Sequence, residues 1–352
     1  MPKVWDWSEF IKNNMEKRIN KKSIVAILII FLISTLSGTF LIFEIRKLEI
    51  ELEKVSFANI SDISHLKTIK LMFVGDIMLD RGVEYQIKKQ EEPDWRFPFL
   101  KSADFLKQAD ILFGNLESVI SDKGKKVGSI YSFRAEPESI EGLTYAGFDV
   151  LSVANNHIFD YGRNAMEDSF KRLESVGIDF IGAGFSQKQA HSPAIKEINK
   201  IKIAFLGYNN LGSKIWEAGE NSSGIAWLDE KIKEDIKEAK EKANLVIVSI
   251  HFGDEYQTKP NLTQKYYAHL AIDAGADLVV GHHPHVVQSV EEYKEGFIAY
   301  SLGNFVFDQG FSEDTMKGIL LEVLVEGSKI EKIIIRKIKI NNSFQPEIDL
   351  EE

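Results

Sequence analysis

Short apolar segments alternate with helix-like segments through most of this chain, and this alternation limits the possible folds more than any other feature of the sequence. Eight segments read as strands: residues 69–74, 111–114, 150–154, 180–182, 201–207, 245–250, 278–280 and 297–301. Between several of them, apolar side chains recur at helical spacing, in residues 165–175, 229–242 and 262–274. This alternation predicts an α/β fold of βα units around a buried sheet. Residues 318–326 and 329–340 predict an antiparallel strand pair that ends the domain.

An uncharged apolar segment precedes this domain. Residues 24–43 are 20 residues without Asp, Glu, Lys or Arg. At about 1.5 Å per residue, a helix of this length spans the roughly 30 Å hydrocarbon core of a bilayer. The segment is longer than the apolar run of a cleaved signal peptide, so we predict one uncleaved transmembrane helix. A buried globular helix and a signal peptide cleaved near Ser37 and Gly38 are the alternatives.

The residues on either side of this segment predict its orientation. Four basic residues directly precede it, whereas residues 44–53 mix acidic and basic side chains. Basic residues favour the cytoplasmic side, so we expect residues 1–23 in the cytoplasm and the main domain outside the cell membrane. Residues 44–68 then form a stalk or linker. Within it, residues 44–57 have an amphipathic helical pattern that serves either as a simple spacer or as a short segment for homodimerisation.

Composition narrows the chemistry. The formal net charge of −10 argues against a nucleic-acid partner, because binding of phosphate backbones needs clustered Lys and Arg. The chain has no cysteine, so a metal would have to be held by histidine, asparagine and carboxylate side chains. Residues 69–340 form the predicted domain, and the polar, acidic tail of residues 341–352 is expected to be loose.

Polar side chains follow six of the predicted strands. They lie in the segments GDIMLDR (75–81), GNLE (114–117), ANNH (154–157), HFGDEY (251–256), GHHPHVVQ (281–288) and SLGNF (301–305). Five of the eight histidines lie in three of these clusters. The carboxyl ends of strands carry the ligand site in open α/β sheets. His283 and His285 are predicted to project to the same side of an extended segment. Imidazole and carboxylate ligands suit Mn, Zn or Fe.

The order of these motifs resembles that of the calcineurin-like metallophosphoesterases. More closely, GDIMLDRG, GNLE, YSFRA, ANNHIFDYG, HFGDEY, GHHPHVVQ and YSLGNFVFD together resemble the CapA family of capsule and poly-γ-glutamate biosynthesis proteins. The resemblance implies a calcineurin-like βα sandwich with a divalent metal ion (Mn, Zn or Fe). The metal ligands that it implies are Asp76, Glu117, Asn156, His251, His283 and His285.

Further roles are assigned around this ligand set. Asp76 and His157 are the candidate catalytic residues, and His157 is expected to stabilise transition-state charge or to protonate a leaving group. The candidate substrate-binding residues are Arg81, Arg134 and Asn304, since an arginine fork binds phosphate or carboxylate well. Tyr131 and Trp216 either line a pocket or pack against neighbouring side chains, and we expect packing.

One position departs from the phosphoesterase pattern. Met78 stands where those enzymes have a histidine two residues after the first aspartate, and a thioether is a poor ligand for hard divalent ions. One metal, two metals in altered geometry, and a substrate alone are all compatible with this change.

The sequence supports two candidate functions. The first is a metal-dependent hydrolase or transferase acting on a phosphoester or a γ-glutamyl amide. The second is a non-catalytic subunit that binds an anionic polymer or its precursor within a membrane synthase or export complex.

Overall fold

The computed structural model describes residues 46–47, 68–127 and 130–350. The predicted anchor at residues 24–43 lies outside these ranges, and so do residues 44–57 apart from Arg46 and Lys47, which are helical. No helix within the described ranges is both long and apolar enough to cross a bilayer. The fold described below is that of Lys67–Glu352, one of two compact units in the chain.

The strands and helices of this unit follow one another in short segments. Within residues 68–127 and 130–350 the strands are β1 (Ile69–Ile77), β2 (Ile111–Leu116), β3 (Val119–Ile120), β4 (Arg134–Ala135), β5 (Val150–Ser152), β6 (Asp179–Ile181), β7 (Ala183–Gly184), β8 (Ala194–Ile198), β9 (Ile201–Asn209), β10 (Gly224–Ile225), β11 (Leu245–His251), β12 (Leu278–His282), β13 (Val290–Tyr293), β14 (Gly296–Ala299), β15 (Asn304–Val306), β16 (Lys317–Glu326), β17 (Lys329–Ile340) and β18 (Pro346–Ile348). The α-helices of the same ranges are α1 (Arg81–Lys88), α2 (Ala103–Leu106), α3 (Ile140–Ala146), α4 (Arg163–Ser175), α5 (Gln187–Ala190), α6 (Ile232–Lys242) and α7 (Leu262–Ala274).

Most strands belong to two mixed sheets. The first has the order β18-β17-β16-β1-β2-β5-β6, with β15 also paired to β1, and the second has the order β13-β14-β12-β11-β9-β8. In the first sheet β1, β2, β5 and β6 run parallel, and in the second β9, β11, β12 and β14 do. Each sheet therefore presents the carboxyl ends of several strands along one edge.

The two sheets pack face to face around an aromatic centre. Phe73 and Phe113 of the first sheet lie with ring centroids 6.5 and 6.0 Å from that of Phe205 in the second sheet. The outer face of the first sheet packs against α4 through residues such as Phe170, and the outer face of the second packs against α6 through residues such as Ile236. The layers run helix, sheet, sheet, helix, which confirms the predicted α/β sandwich.

Local sequence signals explain where the helices begin and end. Asn261 caps the start of α7 in a capping box with Gln264, and Gly275 ends that helix in the left-handed conformation. Helix α6 has Asp235 in its first turn and Lys242 in its last, which complements the helix dipole. These signals act within a few residues, so the sequence alone places both helices.

All eight predicted strands are confirmed as β1, β2, β5, β6, β9, β11, β12 and β14, and the predicted terminal pair is confirmed as β16 and β17.

The expectation of a loose tail is wrong for residues 345–348. Strand β18 pairs antiparallel with β17, and the buried Gln345 side chain donates to the Phe97 carbonyl at 2.7 Å. An open strand edge and a buried hydrogen bond hold this polar segment in place.

Two glycines let backbone segments approach closely near the carboxyl ends of the parallel strands. A Cβ atom at Gly75 would lie 1.9 Å from the Gly303 carbonyl oxygen, and one at Gly281 would lie 2.0 Å from the Tyr300 carbonyl oxygen. Neither position has room for a side chain. The glycine before Asp76 therefore brings β1 against the segment that leads into β15.

Candidate metal centre

Register partners bring polar side chains from separate strands to one edge of each sheet. Asp76 of β1 lies beside Asn115 of β2 and Asn304 of β15. His251 of β11 lies beside His282 of β12 in the second sheet. His282 Nδ1 is 3.2 Å from Asp76 Oδ1, so both sheets contribute to one site at the carboxyl ends of their parallel strands.

Asp76 is a fully buried carboxylate. Its Oδ1 accepts a hydrogen bond from Asn115 Nδ2 at 2.8 Å, and its Oδ2 accepts one from the His283 backbone N–H at 3.3 Å. His285 Nδ1 lies 3.3 Å from the same Oδ2. Burial by itself raises the pKa of a carboxyl, but the approach of His282 and His285 outweighs burial and lowers the pKa of Asp76 well below its usual value. Asp76 is therefore ionised, as a metal ligand has to be.

Glu117 follows β2 and is also fully buried. Asn115 Nδ2 donates to its Oε1 at 3.0 Å, whereas Oε2 has no hydrogen-bond partner among the described residues. His285 Nε2 lies 3.9 Å from this Oε2. Burial, followed by the charge of Asp76, raises the pKa of Glu117 well above its usual value. A second buried carboxylate beside Asp76 is unfavourable unless Glu117 is protonated or a cation lies between the two groups, so this pair is compatible with a cation site.

His251 and Asn156 meet at the same edge. His251 Nε2 is 2.9 Å from Asn156 Oδ1, and its Nδ1 is 3.3 Å from Asn115 Nδ2. Burial and then the neighbouring His283 lower the pKa of His251 well below its usual value. Burial and then His285 lower the pKa of His283 to about 3. Both imidazoles are therefore neutral at physiological pH, which is the form that binds metal ions.

His283 and His285 converge, but the predicted extended conformation of their segment is wrong. Their φ angles are +98° and +57°, so the backbone bends into the left-handed region at both residues. Their ring centroids lie 5.9 Å apart. Such a conformation is costly in residues other than glycine and is found preferentially at functional sites. His285 Nδ1 lies 3.0 Å from Asn304 Oδ1, which leaves Nε2 as the nitrogen that can bind a metal.

Two sets of side chains have the spacing that a metal ion requires. Asp76, Glu117 and His285 each offer one ligand atom, and these atoms lie within 4.8 Å of one another. Glu255, His283 and His285 form a second set within the same limit. Two buried atoms of these sets, Glu117 Oε2 and His283 Nδ1, have no hydrogen-bond partner in the part of the chain that the structure describes. Carboxylate oxygen and neutral imidazole are ligands for Mn, Zn or Fe, so these residues fit a divalent cation.

His157 follows Asn156 and is oriented by Asp160. Its Nδ1 is 2.8 Å from Asp160 Oδ2, which also accepts the Phe133 backbone N–H at 2.8 Å. With Nδ1 engaged, Nε2 is the nitrogen that can exchange a proton with a bound molecule. His157 and Asn156 line a cavity of about 310 Å³. The cavity therefore lies beside Asn156, a candidate metal ligand, and His157, the candidate acid.

Two aromatic residues also line this cavity. They are Tyr131 and Trp216, for which lining a pocket is the alternative to packing. Tyr131 is 62% exposed, and Trp216 stacks on Phe159 with ring centroids 5.5 Å apart. The cavity is therefore lined by aromatic side chains as well as by the polar side chains of Asn156 and His157.

Arg81, a predicted substrate-binding residue, lies near His157. Its Nε donates to Asp308 Oδ2 at 3.0 Å, and its guanidinium carbon lies 4.9 Å from the centre of the Phe133 ring. That ring is in turn 4.1 Å from the His157 ring. One aromatic ring therefore separates Arg81 from the candidate acid, and the carboxylate of Asp308 holds its guanidinium.

The other two predicted substrate-binding residues differ in their surroundings. The Arg134 guanidinium lies 4.3 Å from the centre of the Tyr161 ring and donates to the Lys123 carbonyl at 3.0 Å. Asn304 is fully buried and contacts His285. Arg134 is thus held by an aromatic ring and a backbone carbonyl, whereas Asn304 directly contacts a candidate metal ligand. Substrate binding by Arg81, Arg134 and Asn304 stays a prediction.

Three residues of this centre are not assigned by the sequence pattern. Asn115 joins Asp76 and Glu117 through one amide nitrogen. His282 is buried, and among the described residues neither of its ring nitrogens has an aligned hydrogen bond. Glu255 belongs to the second ligand set. Asn115 and His282 could have been found from their positions at strand ends, but the position of Glu255 depends on how its loop folds.

Comparison with known proteins places the sequence in a family. The profile of the family described as Bacterial capsule synthesis protein PGA_cap matches residues 70–309. A protein named Capsule biosynthesis protein CapA from Bacillus anthracis is 35% identical over 268 residues, which cover 72% of this chain and 64% of that protein. A protein named PGA biosynthesis protein CapA from Bacillus subtilis (strain 168) is 37% identical over 244 residues, which cover 68% of this chain and 63% of that protein. The chain thus spans slightly less than two thirds of either relative.

Similarity to solved structures is weaker. A putative 5'-nucleotidase from Staphylococcus aureus matches with a TM-score of 0.48 and 15% identity, covering 81% of this chain and 55% of that one. A hypothetical protein from Thermus thermophilus matches with a TM-score of 0.47 and 15% identity, covering 77% of this chain and 99% of that one. These values support no assignment of activity. The family profile, however, matches more than half of the sequence, and the chain therefore belongs to the bacterial capsule synthesis protein PGA_cap family.

Proposed function

We propose that this protein takes part in the biosynthesis or export of capsule or poly-γ-glutamate as a membrane-anchored, extracytoplasmic, metal-dependent hydrolase or transferase. The observation that supports a metal-dependent reaction is the convergence of Asp76, Glu117 and His285, whose ligand atoms lie within 4.8 Å of one another. Family membership supports the context of polymer biosynthesis. Residues 24–43 support anchoring, since their length and lack of charge suit a bilayer.

Each residue of the centre has a definable part in this proposal. Asp76, Glu117 and His285 would hold a divalent cation, with His251 and Asn156 beside it. When bound, such a cation polarises a phosphoryl or carbonyl oxygen and lowers the pKa of water. His157 would hold or deliver a proton at Nε2, because Asp160 occupies its Nδ1. The substrate class is a phosphoester or a γ-glutamyl amide of the polymer or its precursor.

The charge of the protein predicts how an anionic substrate binds. The chain carries a formal net charge of −10, so long-range repulsion opposes the approach of a polyanion. A divalent cation at the site would offset the charge of its carboxylate ligands and would offer an anionic substrate a positive contact. We therefore expect polymer binding to require the metal and to weaken when the metal is chelated.

Met78 favours a second candidate function. Its sulfur accepts a hydrogen bond from the Asp80 backbone N–H at 3.1 Å and its side chain is buried in the core, so β1 supplies Asp76 but no imidazole. A centre with fewer ligands suits a protein that binds an anionic polymer through a metal without cleaving it. In that case the chain is a binding or assembly subunit of a membrane synthase or export complex.

Metal content and turnover together separate these functions. The full-length chain, purified in detergent and supplemented with Mn²⁺ or Zn²⁺, is analysed for bound metal as wild type, Asp76→Asn and His283→Ala. His269→Ala is the matched control, since His269 pairs with Glu291 away from the centre. A generic phosphodiester and poly-γ-glutamate are assayed in parallel.

The proposal predicts near-stoichiometric metal that Asp76→Asn and His283→Ala lose and His269→Ala keeps, together with turnover of one substrate. Metal and polymer binding without turnover would instead support the non-catalytic subunit. A wild-type protein that binds no metal at all would refute both forms of the metal-dependent proposal.

Membrane anchoring and orientation are tested separately. In intact cells, a protease added outside should remove the domain of residues 69–340, while a tag at residue 1 should be protected until the cells are lysed. Deletion of residues 24–43 should release the protein from the membrane fraction. Protection of the domain in intact cells would contradict the proposed orientation.

A further inference from the structure

The loop after β11 carries a carboxylate toward the histidine segment. Tyr256 donates its backbone N–H to the Pro284 carbonyl at 2.8 Å, and this bond ties the loop to the residue between His283 and His285. Gly253 and Tyr256 have positive φ angles of +99° and +62°, so the loop turns sharply on both sides of Glu255. The exposed Glu255 is thereby held over two buried histidines.

A chain of hydrogen bonds supports this geometry from the opposite side. Gln309 Nε2 donates to the Tyr256 hydroxyl at 3.3 Å, and Gln309 Oε1 accepts from Asn304 Nδ2 at 3.0 Å. Asn304 Oδ1, the other polar atom of this amide, lies 3.0 Å from His285 Nδ1. Tyr256, the residue next to Glu255, is therefore connected to His285 through the side-chain amides of Gln309 and Asn304. These hydrogen bonds define the positions of both Tyr256 and His285.

We infer that Glu255 is a metal ligand, acting with His283 and His285, and that it supplies from the loop after β11 the ligand that β1 lacks because of Met78. This inference rests on the proposed metal-dependent function. One atom from each of the three side chains lies within 4.8 Å of the others. His283 Nδ1 is buried and, among the described residues, has no hydrogen-bond partner. A ligand position is the simplest use for such an atom.

Charge balance supports the same assignment. Asp76 and Glu117 are buried acidic residues of the first ligand set, and Glu255 belongs to the second set, which shares His285 with the first. Three acidic side chains and neutral imidazoles around one space suit divalent cations, which would balance the charge of the ionised carboxylates. Glu255 is exposed, so a cation reaches this ligand from solvent without opening the core.

The test compares Glu255→Gln with Asp254→Asn in the full-length chain. Both variants remove one negative charge from adjacent exposed positions, but Asp254 bonds Asn261 at 2.8 Å and belongs to neither ligand set. Mn²⁺ and Zn²⁺ binding is measured by competition with a chelator, and the visible absorption of Co²⁺ bound to each variant reports the ligand set. Thermal unfolding without metal confirms that both variants fold.

The inference predicts that Glu255→Gln weakens the binding of at least one ion by about tenfold or more and alters the Co²⁺ spectrum. Asp254→Asn should match the wild type in both measurements. Equal affinity and an unchanged spectrum in Glu255→Gln would overturn the inference while leaving the proposed metal centre intact. A wild type that binds no Mn²⁺, Zn²⁺ or Co²⁺ would overturn both.

Discussion

His251 and Asn156 are 95 positions apart in the chain, yet Nε2 of the histidine lies 2.9 Å from Oδ1 of the asparagine. His251 ends β11 in one sheet, and Asn156 follows β5 in the other. The contact joins the two sheets at the edge where their parallel strands end. Nε2 donates to Oδ1 in this contact, because Nδ1 faces the Asn115 amide nitrogen, which is itself a donor. A metal ion bound by Asn156 and His251 would replace this hydrogen bond.

This relationship gives the first prediction. His251→Ala and Asn156→Ala should each weaken metal binding by at least about tenfold, because each removes a donor atom from the same space. The double variant should lose less than the sum of the two single losses, since both act on one ion. Chelator competition on the four proteins measures these values. Fully additive losses would show that the two residues do not share an ion.

The second prediction concerns His157. Asp160→Asn should lower turnover while leaving metal content unchanged, because an amide can donate to Nδ1 as well as accept from it and so no longer fixes which ring nitrogen carries the proton. His157→Gln should lower turnover by about 100-fold or more, as expected for loss of a general acid. Turnover and bound metal are measured on the same preparations. Loss of metal in either variant would instead place His157 among the ligands.

A third prediction distinguishes two roles for Asn304. The sequence assigns it to substrate binding, whereas its contact with His285 at 3.0 Å suggests that it orients a ligand. If it orients His285, Asn304→Ala should weaken metal binding by about 10- to 100-fold. If it binds substrate, the same variant should raise KM at saturating metal with metal affinity unchanged. Arg81→Gln provides the comparison, because Arg81 is held by Asp308 and contacts no candidate ligand in the described residues.

The fourth prediction concerns stability against acid. The Asp168 side chain is 8% exposed and accepts hydrogen bonds from Lys123 at 2.5 Å and from Arg172 and Ser121 at 2.8 Å each. Burial raises the pKa of this carboxyl, but these three partners outweigh burial and lower its pKa from 3.8 to about 2. The stabilisation is therefore present above pH 3.8 and is lost as the pH falls toward about 2.

We expect Asp168→Asn to lower the free energy of unfolding at pH 7 by about 1–2 kcal/mol. The difference from the wild type should shrink as the pH falls below about 4, because the wild-type carboxyl then becomes protonated. Denaturant unfolding between pH 7 and pH 3 measures both effects. Asp104→Asn, at an exposed position of α2, is the control and should change little. A difference that stays constant down to pH 3 would contradict the prediction.

Much of the fold can be predicted from local patterns. The β-strands have apolar runs of the expected length, and α7 has both a capping box and a terminal glycine. These signals are local and need no knowledge of the partner strand. Strand β8 was not predicted, since Ala194–Ile198 alternates between half-buried and exposed residues and is fixed only by pairing with β9. The ordered tail at Pro346–Ile348 likewise depends on the open edge of β17.

The available ligand chemistry follows from the amino-acid sequence, because strand-end motifs without cysteine restrict the ligands to carboxylate, amide and imidazole. The sequence also indicated the strand ends at which these ligands lie, because the carboxyl ends of parallel strands meet at one edge. Three features become apparent only in the folded chain: the backbone bends at His283 and His285, the burial of His282, and the approach of Glu255 to the histidines. Those features depend on contacts between segments far apart in the chain, and such contacts leave no periodic signal in the sequence.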